Sequence, residues 1–316
     1  MFNLFNRKKD WKNSPAHLLL LSKFLTTNSP DRYANDEHWK SVLKEKPSKV
    51  ISQFLKEKIL ESVELQELVD YKFKILELKE TLKTKGLKIS GRKEELIQRL
   101  IENDPQLMHE KTKDLVLYRC TKEGMQFANR YLEEERAVKN KVEHDVMNYL
   151  KNRQYLKASQ LIVKYKESQV FYFIQDNVNG LTRDLKPIFE VTPDLLSGVD
   201  KMQLDQLRLA AGMMLLWGSG NVRSWIPDNI VTGIHLDGPA ICRMLIFHSN
   251  HLKNIDSYRG KVKTVEISGI DDVNTCPACK KIHGKKFKLG SVPQLPYAKC
   301  TCDLGCRCRI DAKEWL

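Results

Sequence analysis

The chain has 316 residues, 41% of them hydrophobic, which is enough for two or three domains or for one core with small appendages. Lysine and arginine number 53 against 40 aspartate and glutamate, and the net charge of +13 favours nucleic acid or another anionic surface as partner. The most apolar run, Leu209–Gly218, is about half a membrane span, and the leucine run near the start has neither the length nor the cleavage site of a signal peptide. The expectation is a cytoplasmic chain with no membrane partner.

In chain order, residues 1–67 form an N-terminal helical segment. Val50, Phe54, Leu55 and Ile59 recur at helical spacing, and Pro47 is a start signal. The stretch TTNSPDRYANDE within it marks a loop. Next comes LKETLKTKGLKISGRKEELIQRL, Leu78–Leu100. Ile75, Leu78 and Leu82 share one helical face, Gly86 suits a left-handed cap, and Leu87 plugs the turn. Ser90 is a candidate N-cap for a second helix whose apolar face is Leu96, Ile97, Leu100 and Ile101. The cations Lys83, Lys85, Lys88, Arg92 and Lys93 gather at the turn and at the start of that helix. Backbone N–H groups, the positive end of a helix dipole and several cations together make a phosphate-binding arrangement.

On Leu78, Leu82, Gly86, Leu87, Ser90, Gly91, Lys93, Leu96, Ile97, Arg99 and Leu100 the stretch closely resembles the SAP family. That pattern is a leucine-rich helix, a Gly-Leu turn, Ser-Gly-Lys/Arg and a second helix ending Glu-Leu-Ile-x-Arg-Leu. The resemblance implies a helix-turn-helix-like DNA-binding module over residues 68–104, often an accessory that tethers another activity to DNA. It assigns DNA-backbone contacts to Lys83, Lys85, Lys88, Ser90, Gly91, Arg92 and Lys93. With few side chains placed to read bases, the contacts fall on phosphate and sequence preference is weak.

Residues 105–255 read as a helical core region of undefined function. A charged helical segment spans Lys111 to about Tyr172, with Val138, Val142, Val146 and Leu150 as an apolar stripe but no sustained heptad. From about Lys186 the chain turns apolar, and two buried helices are expected over KMQLDQLRLAAGMMLLW and GPAICRMLIFHSNHL. Trp217 and Trp225 read as core or rim anchors, Cys120 and Cys242 as small core residues. His248 and His251, three apart, read as a polar helix face rather than as ligands.

Residues 256–316 form a cysteine-rich unit. Gly260–Ile270 alternates Val262, Thr264, Glu266 against Lys263, Val265, Ile267 as a strand does, and GKKFKLG is a second short strand. Six of the eight cysteines lie between Cys276 and Cys308, which in a reducing compartment reads as metal rather than disulfide. Cys276 and Cys279 have the two-residue spacing that points both thiolates at one tetrahedral ion. Cys300 with Cys306 or Cys308 completes a zinc-ribbon-like site for Zn2+; Cys302 can replace either, and His283 is a further candidate. Six cysteines and one histidine can also hold two ions. Four thiolate ligands leave no open position for a nucleophilic water, so the metal is structural and clips a small β unit. From Lys253 to Leu316 there are thirteen Lys/Arg against seven Asp/Glu, so a second nucleic-acid surface or a protein contact can lie here.

More loosely, the tail resembles the C-terminal end of phage minor head (head morphogenesis) proteins. The likeness rests on Asp272, Thr275, Cys276, Pro277, Cys279, His283-Gly284-Lys285, Phe287 and Cys306-Arg307-Cys308. It departs at Tyr297 or Ala298, where a histidine is expected, and in the additional Cys300 and Cys302. No phosphate loop, serine elbow or His-Glu-x-x-His helix is present. Asp271-Asp272 follows a strand as nuclease carboxylates can, but without the Glu-x-Lys partner of such sites, and reads better as the turn into the knuckle. The expected class is therefore a mainly α, multidomain protein: a SAP module, a helical core and a small β-containing zinc-ribbon-like unit. Its expected role is DNA binding, with head assembly or a DNA-targeted nuclease as alternatives.

Overall fold

The computed structural model describes residues 10–173 and 176–316; the helical expectation for residues 1–9 lies outside them. The chain is mainly helical and divides into two compact units, Met1–Val138 and Lys139–Leu316.

The first unit opens with α1 (Pro15–Ser22), α2 (Asp31–Ala34), α3 (Glu37–Leu43) and α4 (Pro47–Lys56). Proline at the first helical position starts α1 and α4, where its missing N–H costs nothing. The expected loop over TTNSPDRYANDE contains the short α2 instead, set off by Pro30. Val50, Ile51 and Phe54 of α4 are buried against Trp11, Leu20, Leu21, Phe24 and Trp39. The helix ends where Lys58 turns left-handed (φ 57°) and Ile59 N–H donates back to the Phe54 carbonyl at 2.8 Å. Ile59 is therefore a buried residue beyond the helix, not its last apolar position.

A three-residue strand then corrects the all-helical expectation for residues 1–67, and its partner falls in the segment expected to be helical from Lys111. β1 (Leu60–Ser62) pairs antiparallel with β2 (Tyr118–Cys120), Leu60 opposite Cys120. Strands this short leave no periodicity to detect. Between them lie α5 (Leu65–Lys72), α6 (Ile75–Thr84), α7 (Lys93–Asn103) and α8 (Pro105–Thr112). These four helices share a small core of Val69, Leu78, Leu82, Leu96, Ile97, Leu100 and Met108. The segment expected as one charged helix from Lys111 is in fact interrupted by β2. It resumes as α9 (Lys122–Lys151) and breaks again at Arg153, whose φ of 56° ends helical geometry.

The second unit continues with α10 (Tyr155–Glu167), α11 (Val178–Glu190), α12 (Lys201–Trp217), α13 (Val222–Trp225) and α14 (Gly238–Tyr258). The two apolar helices expected from the sequence are α12 and α14, and α11 packs on both as well as on α10. Along α9, Val146 and Leu150 are buried in this core, whereas Val138 is 51% exposed. Arg208 of α12 is buried and closes the end of α11, donating to the carbonyls of Ile188 and Val191 and to Thr192 Oγ1. Such a guanidinium satisfies carbonyls that a helix end otherwise leaves unpaired. Trp217 and Trp225 are half-buried against the same core, and Trp225 Nε1 donates to Glu143. Cys242 lies in this core and Cys120 in the first unit's, and burial pushes both thiols up to about 12.

The unit closes with β3 (Val262–Ser268), α15 (Pro277–Lys280), β4 (Lys286–Lys288) and β5 (Arg309–Trp315), an antiparallel sheet in the order β4-β3-β5. The strict alternation expected for β3 is broken: Val262, Val265 and Ile267 are buried because the register with β5 shifts around Thr264, as at a β-bulge. β5 was not expected, since Arg-Ile-Asp-Ala-Lys-Glu-Trp alternates poorly and follows directly on the last cysteine. It pairs Ile310 with Ile267 and Ala312 with Val265.

Candidate nucleic-acid interface and metal centre

The first site is the turn between α6 and α7. Gly86 has φ 65°, and Leu87 N–H donates to the Leu82 carbonyl at 2.9 Å while Gly86 N–H donates to Lys83 at 3.1 Å. This is a Schellman closure, and it needs a residue that tolerates the left-handed region. Arg99 of α7 clamps the far side of the turn, its Nη1 donating to the carbonyls of Lys88 at 2.5 Å and Ser90 at 3.3 Å.

The expected N-cap at Ser90 is corrected. The cap is Arg92, two residues later, because Gly91 takes a φ of 131° and swings the chain before helical geometry begins. Arg92 makes no side-chain capping bond, and Glu94 and Glu95 fill the first turn of α7. Those carboxylates complement the helix dipole themselves, so the positive end of α7 is partly neutralised by its own chain.

The seven residues expected to touch DNA fall into two groups. Lys83, Lys88, Ser90, Gly91 and Arg92 are exposed, and the side chains of Lys83, Lys88 and Arg92 make no ion pair among the described residues. Lys85 and Lys93 are engaged. Lys85 Nζ lies 2.5 Å from Asp104 Oδ2, and its hydrogen bond holds the Asp104 carboxyl below its ordinary value. Lys93 Nζ lies 2.9 Å from Asp70 Oδ1 and also donates to the Asp70 carbonyl. Sequence reasoning missed Asp70 and Asp104 as the groups that mask these two cations; Asp70 belongs to α5 and Asp104 caps the junction of α7 and α8, so neither belongs to the turn.

The second site is the cysteine cluster. Cys276 caps α15, with Pro277 at the first helical position, and the knuckle is closed by Lys280 N–H on the Cys276 carbonyl at 3.1 Å. Cys276, Cys279, Cys300 and Cys302 form one buried group and Cys279, Cys306 and Cys308 another, the sulfurs within each lying no more than 4.8 Å apart. The fold thus brings together all five cysteines expected as ligands and adds Cys302, which the sequence could offer only as a substitute. A cluster of this kind can hold a metal ion, because tetrahedral thiolate sites need sulfurs about 4 Å apart. Around it, backbone N–H groups donate to sulfur: Thr301 to Cys276 and Tyr297 to Cys306, each at 3.3 Å. Amide donors of this kind stabilise thiolate charge and orient ligands.

Asp272 opens the turn into the knuckle. It accepts from Asn274 N–H at 2.9 Å and from both terminal nitrogens of Arg307, whose guanidinium holds its carboxyl well below the usual range. Asp271 pairs instead with Lys280 at 2.8 Å. His248 and His251 are also corrected: they are 1% and 6% exposed, not on a polar face. His248 Nδ1 bonds the Leu295 carbonyl at 2.7 Å, and burial lowers the affinity of both rings for a proton, His251 to about 4.

Residues 72–105 match the family model for the SAP domain. No curated protein and no solved structure matches the chain. The match covers the turn described above together with α6 and α7, and it supports nucleic-acid binding by this part of the chain. No helix among the described residues is long and apolar enough to cross a membrane.

Proposed function

We propose that the protein is a cytoplasmic DNA-binding accessory of bacterial or prophage type. In this reading residues 68–104 grip the DNA backbone with little sequence preference, residues 105–255 form the helical body they tether, and residues 256–316 are clipped by structural zinc. The observation that carries it is the SAP-matching turn, which projects Lys83, Lys88 and Arg92 into solvent without ion-pair partners. Three cations at the mouth of a turn suit phosphate oxygens, which bind by charge rather than base identity. The set Lys83, Lys85, Lys88, Ser90, Gly91, Arg92 and Lys93 remains the proposed contact surface, with Lys85 and Lys93 exchanging their carboxylate partners for phosphate. Zn2+ is the proposed ion because buried cysteine thiolates with knuckle spacing favour it.

The test is an anisotropy titration of the full chain against short duplexes of unrelated sequence. Similar affinities, and a marked weakening on replacing Lys83, Lys88 and Arg92 together by alanine, are expected. Binding unchanged in the triple variant defeats the reading.

A second reading, a phage head-assembly accessory, is favoured by one specific observation. Asp272, Thr275 and Arg307, which carry the resemblance to minor head proteins, form one hydrogen-bonded network beside the cysteines. Co-sedimentation with proheads supports it, and its absence removes it. A metal-dependent nuclease has less support, since Asp271 and Asp272 are each engaged by a cation. Plasmid cleavage with magnesium or manganese, lost on changing either aspartate, is the result that revives it.

A further inference from the structure

We propose that the tail holds two metal ions rather than one, joined by the Cys279 thiolate, with the His283 imidazole completing the second site. The inference rests on the metal reading above and extends it. The two cysteine groups have one member in common, Cys279, whose sulfur lies in both the group with Cys276, Cys300 and Cys302 and the group with Cys306 and Cys308. A single tetrahedral ion takes four ligands. Placed among Cys276, Cys279, Cys300 and Cys302, it leaves Cys306 and Cys308 as buried thiols crowded against a thiolate. Cys306 is in fact within hydrogen-bonding reach of the Cys279, Cys300 and Cys308 sulfurs, so the two groups are contiguous.

The donor count closes on two ions. The six cysteines lie in the two groups and His283 stands at the edge of the second, against Cys308, so that with a small inward shift of its ring the tail offers seven ligand atoms. Two four-coordinate ions need one more bond than seven single donors make, and one bridging thiolate supplies it. His283 Nε2 is within hydrogen-bonding distance of Cys308 Sγ, at 3.3 Å, a separation that two ligands on one tetrahedral ion also have. Its position is made possible by Gly269, at the end of β3. A Cβ there would lie 2.4 Å from His283 Nε2, so the strand leaves open the space that the imidazole edge occupies. The backbone N–H of His283 donates to the Cys279 carbonyl at 3.3 Å, so the turn after the knuckle places residue 283 one helical turn beyond the residue proposed as the bridge.

The surroundings treat both groups as thiolates. Backbone amides donate to Cys276, Cys300 and Cys302 in the first group, and the Tyr297 N–H donates to Cys306 in the second. Six thiolates in so small a volume repel one another, and a second divalent cation offsets that repulsion where one leaves it largely uncompensated.

The experiment is metal quantification on the purified full chain, by mass spectrometry of the metal against amino-acid analysis of the protein. Two zinc ions per chain are expected, falling to one in His283→Ala and returning to two in His283→Cys. In the cadmium-113 form, the β-protons of Cys279 should correlate with both metal resonances. One ion per chain in the unaltered protein overturns the bridge and leaves the single-metal reading standing; no ion removes both. Two ions retained in His283→Ala, or Cys279 protons coupled to one metal alone, overturn the proposed ligand set. His283→Cys guards against a His283→Ala chain that loses its metal through misfolding.

Discussion

The guanidinium of Arg307 grips the carboxylate of Asp272 through two parallel hydrogen bonds, Nη1 to Oδ2 at 2.8 Å and Nη2 to Oδ1 at 2.6 Å. Arg307 stands between Cys306 and Cys308, and Asp272 opens the turn that delivers Cys276. The fork therefore joins the two cysteine-bearing segments by a route independent of metal. Arg307→Lys keeps the charge but loses the paired geometry. It should lower metal affinity about ten-fold, as removal of an outer-shell partner does, measured by chelator competition. An unchanged competition curve would show that the fork does not support the site. The sign of its pH dependence is fixed: with the Asp272 carboxyl held below its ordinary 3.8, the contribution is complete above that value and is lost as pH falls through the depressed range. Metal released between neutral pH and about 5 thus reports protonation of thiolates, not rupture of the fork.

His248 makes a second prediction. Burial lowers its pKa from the ordinary 6.5, so the unfolded chain takes up a proton that the folded chain does not. Stability of the second unit should be complete above about 6.5 and should decline as pH falls below it. His248→Asn can keep the donor to Leu295 while removing the titration. Thermal unfolding followed against pH should show a shallower acid slope in that variant; an identical slope would contradict the assignment.

The masking of Lys85 and Lys93 is open to direct test. Asp70→Asn and Asp104→Asn remove the competing charge, and asparagine at 104 can still cap α8 through the oxygen that accepts from Leu107 N–H. Each variant should bind DNA more tightly, by roughly two-fold, in keeping with the small worth of an exposed ion pair. Weaker binding in both would mean that the pairs hold the module together rather than mask it.

The module's core sets a stability prediction. Leu82 is fully buried, and Leu82→Ala should cost about 3 kcal/mol. At Gly86 nothing lies within 4 Å of an added Cβ, so Gly86→Ala pays only for the left-handed backbone, about 1 kcal/mol. Denaturant unfolding of the two variants should rank them in that order. The reverse order would show that the turn, not the leucine face, governs the module.

What could be read from the chain alone followed local chemistry. The turn at Gly86-Leu87 and the leucine faces on either side were legible because a left-handed cap and two short amphipathic helices leave marks within a few residues. The α7 start was misplaced, since Ser90 is a good capping residue and nothing local reveals the conformation of Gly91. β1, β2 and β5 were missed because their pairing is long-range, Leu60 with Cys120 and Ile267 with Ile310. His248 and His251 looked polar on residue type, yet they lie on the face of α14 that continues the buried side of Met244, Leu245 and Ser249. In the tail, the Cys276–Cys279 knuckle was visible from spacing. The place of Cys302 was not, since its sulfur joins the first group only through the turn at 300–302. The neutralising roles of Asp70 and Asp104 were likewise invisible, because they arise from packing between helices.

The central claim is that the turn after α6 binds DNA through phosphate. The salt dependence of binding by the full chain measures this most directly. The logarithm of the association constant should fall linearly with that of salt concentration. Its slope should shrink by about 0.9 for each phosphate that is no longer neutralised, or between about 2 and 3 when Lys83, Lys88 and Arg92 are all replaced by alanine. A slope that is the same in the triple variant, or binding that ignores salt, would contradict the account.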